Sequence, residues 1–462
     1  MKHNGDSIQD VKLAYIGGGS RGWAWGLMGD LAAEEQLSGE VFLYDIDFEA
    51  AKSNEIIGNR ISSRDNIRGA WTYKAVPTLK EALADADIVV ISILPGTFDE
   101  MESDVHAPEK YGIYQSVGDT AGPGGLMRAL RTIPMYETIA LGIREYCPKA
   151  WVINYTNPMT LCVRTLYEVF PEIKAFGCCH EVFGTQDLFI KMLKDMKGIE
   201  GVRRDDIKVN VLGINHFTWI DRASYKGLDL LALYREFADK YYENGFEDGE
   251  KEHWMNSFFS STNRVKFDLF KRYGVAAAAG DRHLAEFLPP WYLKDPDTVR
   301  SWKFGLTPVS WRKEKQLELK EKSRKLVSGE EEVTLKKSGE EGIRQIKALL
   351  GLGDFITNVN LPNRGQVEGV PPGCVVETNS VFSRDCLSPV VSGRLPDAVQ
   401  SLVMRQVLNQ ETILQAGLKR DKELAFRAFV NDPLVTLDLA TARKLFDEML
   451  QNTKKYLPGW DL

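Results

Sequence analysis

Five short segments of the chain hold more reactive and polar side chains than packing asks for. Gly118-Asp119-Thr120-Ala121-Gly122-Pro123-Gly124-Gly125 is a glycine-rich loop bearing one carboxylate. Asn154-Tyr155-Thr156-Asn157-Pro158 gathers amides and hydroxyls behind an apolar run, and Cys178-Cys179-His180 sets thiols beside an imidazole. Asn215-His216-Phe217 brings a second imidazole, and Gly280-Asp281-Arg282-His283 brings an acid next to a cation. Carboxylates can move protons. A thiolate and an imidazole at two strand ends can hold one divalent ion and leave positions open for substrate hydroxyls. Each segment also has a plainer reading: Asp119 as a capping or solvated turn residue, a lone Cys or His as a core side chain. Spacing alone does not bring the segments together.

A sixth segment, Gly17-Gly18-Gly19-Ser20-Arg21-Gly22, fits G-x-G-x-x-G between an apolar strand and a helix. In that frame Gly17 permits the tight turn, Gly19 lets the backbone approach a pyrophosphate, and Gly22 lets the helix pack on the strand. The helix N-terminus adds N–H donors. Asp45 closes the next strand, where an acid roughly twenty residues on hydrogen-bonds a ribose 2′-hydroxyl. It would also repel a 2′-phosphate, so the expected cofactor is NAD rather than NADP. Asp47 is the alternative acid, and otherwise a turn aspartate.

These groups need strands and helices to hold them. Val11–Gly17, Val41–Asp45, Ile88–Leu94, Trp151–Tyr155 and Ile173–Gly177 read as strands, and Ile88–Leu94 is apolar on both faces, as a central parallel strand is. Helical stretches lie between them. Thr78 caps Leu79–Ala86 with Glu81 completing a capping box. Leu126, Leu130, Ile133, Ile139 and Ile143 recur at helical spacing, with Pro134 expected to bend or interrupt that helix. Such alternation implies a doubly wound parallel sheet of Rossmann type. The fold class is therefore α/β, with a Rossmann domain over residues 1–195 and a mixed α+β domain for substrate, metal and oligomerisation over residues 196–462. Ile207–Ile214 is a strand leading into Asn215-His216. Lys313–Glu341 is densely charged and reads as a solvated helix or exposed hairpin.

Composition narrows the function. A chain of 462 residues suits two cores. Its net charge of -7 argues against a general nucleic-acid binder without excluding a locally basic pocket. Met1 to Asp10 is polar and carries no signal segment, and no apolar run approaches the ~20 residues that cross a bilayer. Six cysteines in so long a chain, two of them adjacent, read as free thiols in a reducing cytoplasm.

The ordered set GGGSRGW, GDTAGPGG, NYTNP, CCHE, GINHF and GDRHLAEF, with Asn360-Leu361-Pro362-Asn363 and Val375-Val376-Glu377, resembles glycoside hydrolase family 4 over most of the chain. This family is an NAD-dependent exception to the two-carboxylate glycosidase scheme. The resemblance implies that Cys179 and His216 bind a divalent cation, usually Mn2+, and that Asn157 touches the substrate near it. It gives Asp119 the role of assisting departure of the leaving group. Asp281 becomes the base that removes the C2 proton, a part played by a tyrosine in some members, while His180 and Arg282 border the sugar pocket. It further implies a C-terminal domain like that of lactate and malate dehydrogenases, and a homodimer or homotetramer.

The implied reaction starts with hydride transfer from C3 of the sugar to NAD. The metal polarises the resulting ketone, a base takes the C2 proton, and the C1 group leaves by elimination. Water adds at C1 and the hydride returns, so no net redox change occurs. His180 stands where members acting on 6-phosphosugars typically have Asn, which points to a non-phosphorylated glycoside. The run Cys179–Thr185 is closest to the uronic-acid branch, the α-galacturonidases. A uronate calls for an arginine, and Arg128, Arg131 and Arg282 are the candidates. An α-glucuronidase or α-galactosidase is the alternative within the same mechanism. A hydroxy-acid dehydrogenase using His216 or His283 as proton acceptor, or a non-catalytic NAD-binding sensor, is the alternative outside it.

Overall fold

Strands that are apolar on both faces have to be covered on both, and the first half of the chain stacks them into one parallel sheet. The computed structural model describes residues 1–247, Met255, 257–335 and 337–462. The parallel strands run in the order Trp71–Ala75, Leu37–Tyr44, Ser7–Ile16, Ile88–Ile91, Trp151–Asn154, Lys174–Gly177. Chain direction across the sheet reverses at Ser7–Ile16, the switch point at which such sheets open a crevice. Register aligns the strand ends: Ile16 pairs with Tyr44 and Ile91, Ile91 with Asn154, and Asn154 with Gly177. Asp45, Gly17, Ser92, Tyr155 and Cys178 consequently succeed one another along a single carboxyl edge. All the expected strands of this sheet are present, each within a few residues of its expected limits.

Side chains alternate across the sheet with the two-residue period of a strand. Leu13 and Tyr15 join Met28, Leu31, Ile57 and Ile61 on one face, while Ala14 and Ile16 join Leu83, Tyr136, Ile143 and Leu166 on the other. The helix Gly122–Tyr146 runs unbroken through Pro134. Of the two outcomes expected at Pro134, a bend or an interruption, the interruption does not occur; burial of Leu126, Leu130, Ile133, Tyr136, Ile139 and Ile143 along the helix outweighs the lost backbone hydrogen bond. At Thr78 the cap is one-sided. Its Oγ1 accepts the Glu81 N–H at 3.2 Å and donates to Oε1 of Glu81, so Glu81 does not return to the cap backbone. A full capping box occurs instead at Thr97 and Glu100.

After residue 195 the chain does two things. Lys208–Ile214, Phe217–Tyr225, Leu228–Asp229 and Ala276–Ala277 form a second, antiparallel sheet. Later, Phe355–Pro362 joins the first sheet beside Lys174–Gly177 through Asn360 and Gly177, and Val375–Ser383 and Cys386–Pro389 extend it antiparallel. The first part of the charged stretch lies in the helix Val309–Ser328, whose Leu326 packs on the first sheet's core, and its described remainder up to Glu341 is not helical. All six cysteines are free. Among the described residues no helix is long and apolar enough to cross a membrane.

Candidate active site

The glycine loop comes directly after the strand Ser7–Ile16 and ends at Gly22, the residue before the helix Trp23–Ala32. Gly17 has φ 92°, and a Cβ there would lie 2.0 Å from the Ser92 carbonyl oxygen. A Cβ on Gly19 would lie 2.7 Å from the Ala50 Cβ and 2.9 Å from Oδ2 of Asp45. Gly22 was expected to be small for packing. Nothing lies within 4 Å of a Cβ built there, and the requirement is its φ of 131°. Asp45 accepts the Gly19 N–H at 2.9 Å and the Asp47 N–H at 2.9 Å, so it shapes the loop as well as facing the edge. The fully buried Asn54, unmarked in the sequence, donates to the carbonyls of Gly18 at 2.7 Å and Ser20 at 3.0 Å. Such a cradle at a helix N-terminus fits a dinucleotide pyrophosphate.

The loop carrying Asp119 is braced by its own Gln115, by the helix Asp281–Glu286 and by Asp432. Glu286 Oε1 accepts the N–H groups of Val117 at 2.7 Å and Gly118 at 2.9 Å, and Gln115 Oε1 accepts that of Gly124 at 2.9 Å. Asp432 accepts the Gly122 N–H at 3.0 Å, and the Ser116 hydroxyl donates to the Arg282 carbonyl at 2.6 Å. Thr120 then links the loop to the second sheet: its Oγ1 donates to Asp119 at 2.7 Å and lies 3.1 Å from Nδ1 of His216. His216 sits in the two-residue turn between paired Ile214 and Phe217, buried and in the left-handed region at φ 63°. A non-glycine residue held there costs stability, and such positions cluster at functional sites.

Asp119, His216 and His283 converge, with one donor atom from each lying within 4.8 Å of the other two. The two imidazole rings lie 3.8 Å apart between centroids, tilted by 34°. Burial pushes His216 down to about 3, so its ring is neutral and able to ligate. Burial alone would raise Asp119, but the Arg128 guanidinium above all holds it well below the usual carboxylate range. A carboxylate and neutral imidazoles suit a first-row divalent cation. The Nδ1 of His283, buried without a partner among the described residues, is a donor of the kind such an ion needs. Cys179, expected to pair with His216, joins no such group of three among the described residues. Burial pushes its thiol well up, next to Glu377 and Asn215.

Other expected residues fall around this cluster. Asn157 offers a buried Oδ1 without a partner, and its carbonyl accepts the Arg128 Nε–H at 3.0 Å. His180 lies in the open, 3.1 Å from Glu340, and lines a cleft of about 640 Å³ with Glu181, Lys266, Gly280 and Ser338. The end of the charged stretch thus borders that cleft rather than bulk solvent alone. Arg282 is buried beside the Asp119 loop. Asp281 is not brought into the cluster: it is fully buried, and its Oδ1 accepts the Lys266 N–H at 3.1 Å. It braces the helix Arg264–Tyr273, and His283 is the member of its segment that faces the site. Arg131, weighed as a uronate partner, is taken up by a fully buried bidentate pair with Asp104.

Glu181 and Glu286 had no assigned role. Glu181 accepts the Gly280 N–H at 2.6 Å and lies 3.6 Å from His283 Nε2; against burial, His283 holds it down to about 2. Burial raises Glu286 to about 8. An acid in the apolar run Leu284–Leu288 was the signal available in the sequence.

The sequence profile of the family 4 glycosyl hydrolases matches residues 12–195, and that of the family's C-terminal domain matches residues 211–435. The chain is 67% identical over 463 residues to an α-galacturonidase of Thermoanaerobacterium saccharolyticum, covering 100% of both chains. A Bacillus subtilis crystal structure, described as that of a glucosidase, superposes with TM-score 0.92 at 56% identity, over 96% of this chain and 100% of that one. A 6-phospho-α-glucosidase from gut microorganisms, solved with NAD and Mn2+, shares the fold with TM-score 0.80 at 20% identity, over 98% of this chain and 100% of the other.

Proposed function

Because this chain belongs to the family 4 glycosyl hydrolases, we propose that it hydrolyses α-galacturonides with NAD and a divalent cation such as Mn2+ bound. One observation carries the chemistry: Asp119, His216 and His283 converge, and Arg128, the cation that favours the Asp119 charge, bonds Asn157 just past a strand end of the sheet that carries the dinucleotide cradle. The choice of sugar is supported by the full-length α-galacturonidase relative and by His180 after Cys179.

The loop Gly17–Gly22 and Asp45 would hold NAD. His216 would hold the cation, with donors from Cys179, Asp119 and His283. When bound, these groups supply reversible hydride acceptance from the sugar ring and polarisation of its C2 and C3 oxygens. The protein's own residues supply position and charge. Asp119, ionised beside Arg128, presents negative charge where cation and sugar meet. Asn157 turns an unpaired amide oxygen toward a sugar hydroxyl. Arg282 and His180 border the ring from two sides, and the burial of His216, with Asp119 and His283 half-buried beside it, limits water around the cluster and strengthens each electrostatic contact.

The test is a panel of p-nitrophenyl α-galacturonide, α-galactoside and α-glucuronide, run on cofactor-stripped protein with NAD and Mn2+ added together and with each omitted. Galacturonide cleavage that needs both additions, and that chelation abolishes, is expected. Preference for another sugar refutes the substrate. Steady NADH production from a hydroxy acid, indifferent to chelation, refutes the reaction.

A further inference from the structure

Two arginines beside the Asp119 loop lack the anion their surroundings call for. Arg282 is 6% exposed. One of its terminal nitrogens donates to the Ser116 carbonyl at 2.5 Å and to the Thr307 hydroxyl, while its Nε is buried with no partner among the described residues. Arg312, in the helix Val309–Ser328, likewise has a buried Nε without a partner. Both guanidinium groups lie over the ring of Phe259, at 5.3 Å for Arg282 and 5.7 Å for Arg312. Trp311 backs that ring at 5.3 Å.

Neither guanidinium has a carboxylate within ion-pair distance among the described residues. Glu286 is the acid that most favours the Arg282 charge, but its Oε1 is committed to the Val117 and Gly118 N–H groups. With its carboxyl raised to about 8 by burial, it is largely uncharged at pH 7. Two like charges, desolvated and close, are unfavourable unless an anion joins them. Arg131 cannot serve such an anion because Asp104 holds it, and Arg128 is engaged by Asn157 and Asp119.

We propose that Arg312 and Arg282, over Phe259, form the subsite that receives the carboxylate at C6 of the sugar. The assignment rests on the reading of the substrate as a galacturonide, and Arg312 is its new element. The position fits. Ser116, which exchanges two hydrogen bonds with Arg282, lies three residues before Asp119, so the subsite is joined directly to the catalytic loop. Thr307 anchors Arg282 from the segment that leads into Arg312, so one stretch of chain orders both cations. Guanidinium forks match a carboxylate in shape as well as in charge. A galactoside, with a neutral hydroxymethyl group at C6, leaves both charges uncompensated.

The experiment is calorimetric binding of D-galacturonate and D-galactose to protein loaded with NAD and Mn2+, for wild type, Arg312→Gln and Arg312→Lys. Arg312→Gln should lose about 10- to 100-fold in galacturonate affinity, the worth of one charge-assisted contact. Galactose and NAD affinities should stay within about twofold by the same reasoning, and Arg312→Lys should fall between. If the Gln variant does not fold, the Lys variant carries the test. Wild-type galacturonate affinity in the folded variants overturns the assignment, as does an equal loss for both sugars. A wild-type protein with no preference for galacturonate over galactose overturns the substrate reading instead.

Discussion

Glu286, a carboxyl group set between Ala285 and Phe287, holds the backbone that carries Asp119 without touching any substrate position. Its effect is on placement, and a shift of about 1 Å in a reacting group can lower a rate roughly 100-fold. Glu286→Ala should therefore reduce kcat by about that factor with KM little changed. Glu286→Gln, which keeps the accepting oxygen, should recover most of it. Steady-state kinetics on the galacturonide decide this, and a wild-type kcat in the Ala variant would deny Glu286 any part in placing Asp119. At this scale the sequence was legible where a side chain belongs to a dense polar motif, as Asp119, Asn157, His216 and Arg282 do. It was silent on Asn54 and Arg312, which act from separate helices on backbone or charge brought near only by folding, and Glu286 stood inside the segment GDRHLAEF without a role. Asp281 shows the converse. It lies in the right motif, yet its Oδ1 accepts the Lys266 N–H and it stands outside the group of Asp119, His216 and His283, while its Oδ2 is buried without a partner among the described residues.

Strands and their ends were readable because apolar runs on a parallel sheet leave no ambiguity of face, and register then aligns the residues just past each strand. No interruption occurs at Pro134 because helix propensity is local while the burial that keeps Gly122–Tyr146 continuous is not. Two predictions belong to elements. In the nucleotide loop, Gly19→Ala forces a Cβ against Ala50 and Asp45. NAD affinity, read by titration, should fall at least about tenfold while Mn2+ affinity holds. Unchanged NAD affinity would show that the loop does not cradle the cofactor. At the start of the helix Gly122–Tyr146, Asp432 accepts the Gly122 and Leu434 N–H groups, and burial raises its carboxyl to about 6. An acid raised above its unfolded value near 3.9 stabilises the fold most when protonated, and that contribution is lost as pH rises from about 4 to 6. Between pH 4 and 7 the stability of Asp432→Asn relative to wild type should rise by on the order of 3 kcal/mol. Denaturant melts at the two pH values measure it, and a flat difference would contradict it.

At the scale of the molecule, one sheet edge gathers the cofactor cradle and the Asn157 and Cys179 segments, while the hairpin turn of a second sheet delivers His216 to the same place. Residues beyond 195 serve both sheets. The return of Phe355–Pro362 to the first sheet was not legible, since it joins through Asn360 and Gly177 across a long stretch of chain and carries no periodic signature of its own. On the proposed reading this arrangement lets a Rossmann-type sheet serve hydrolysis, since oxidation at C3 would make the C2 proton removable. The most direct measurement is hydrolysis of an α-galacturonide in D2O with NAD and Mn2+, followed by NMR of the released sugar. Because C2 is deprotonated and later reprotonated from exchangeable sites, deuterium is expected at C2 of the galacturonate. Full turnover with the original hydrogen retained at C2 would contradict a route through the 3-ketone.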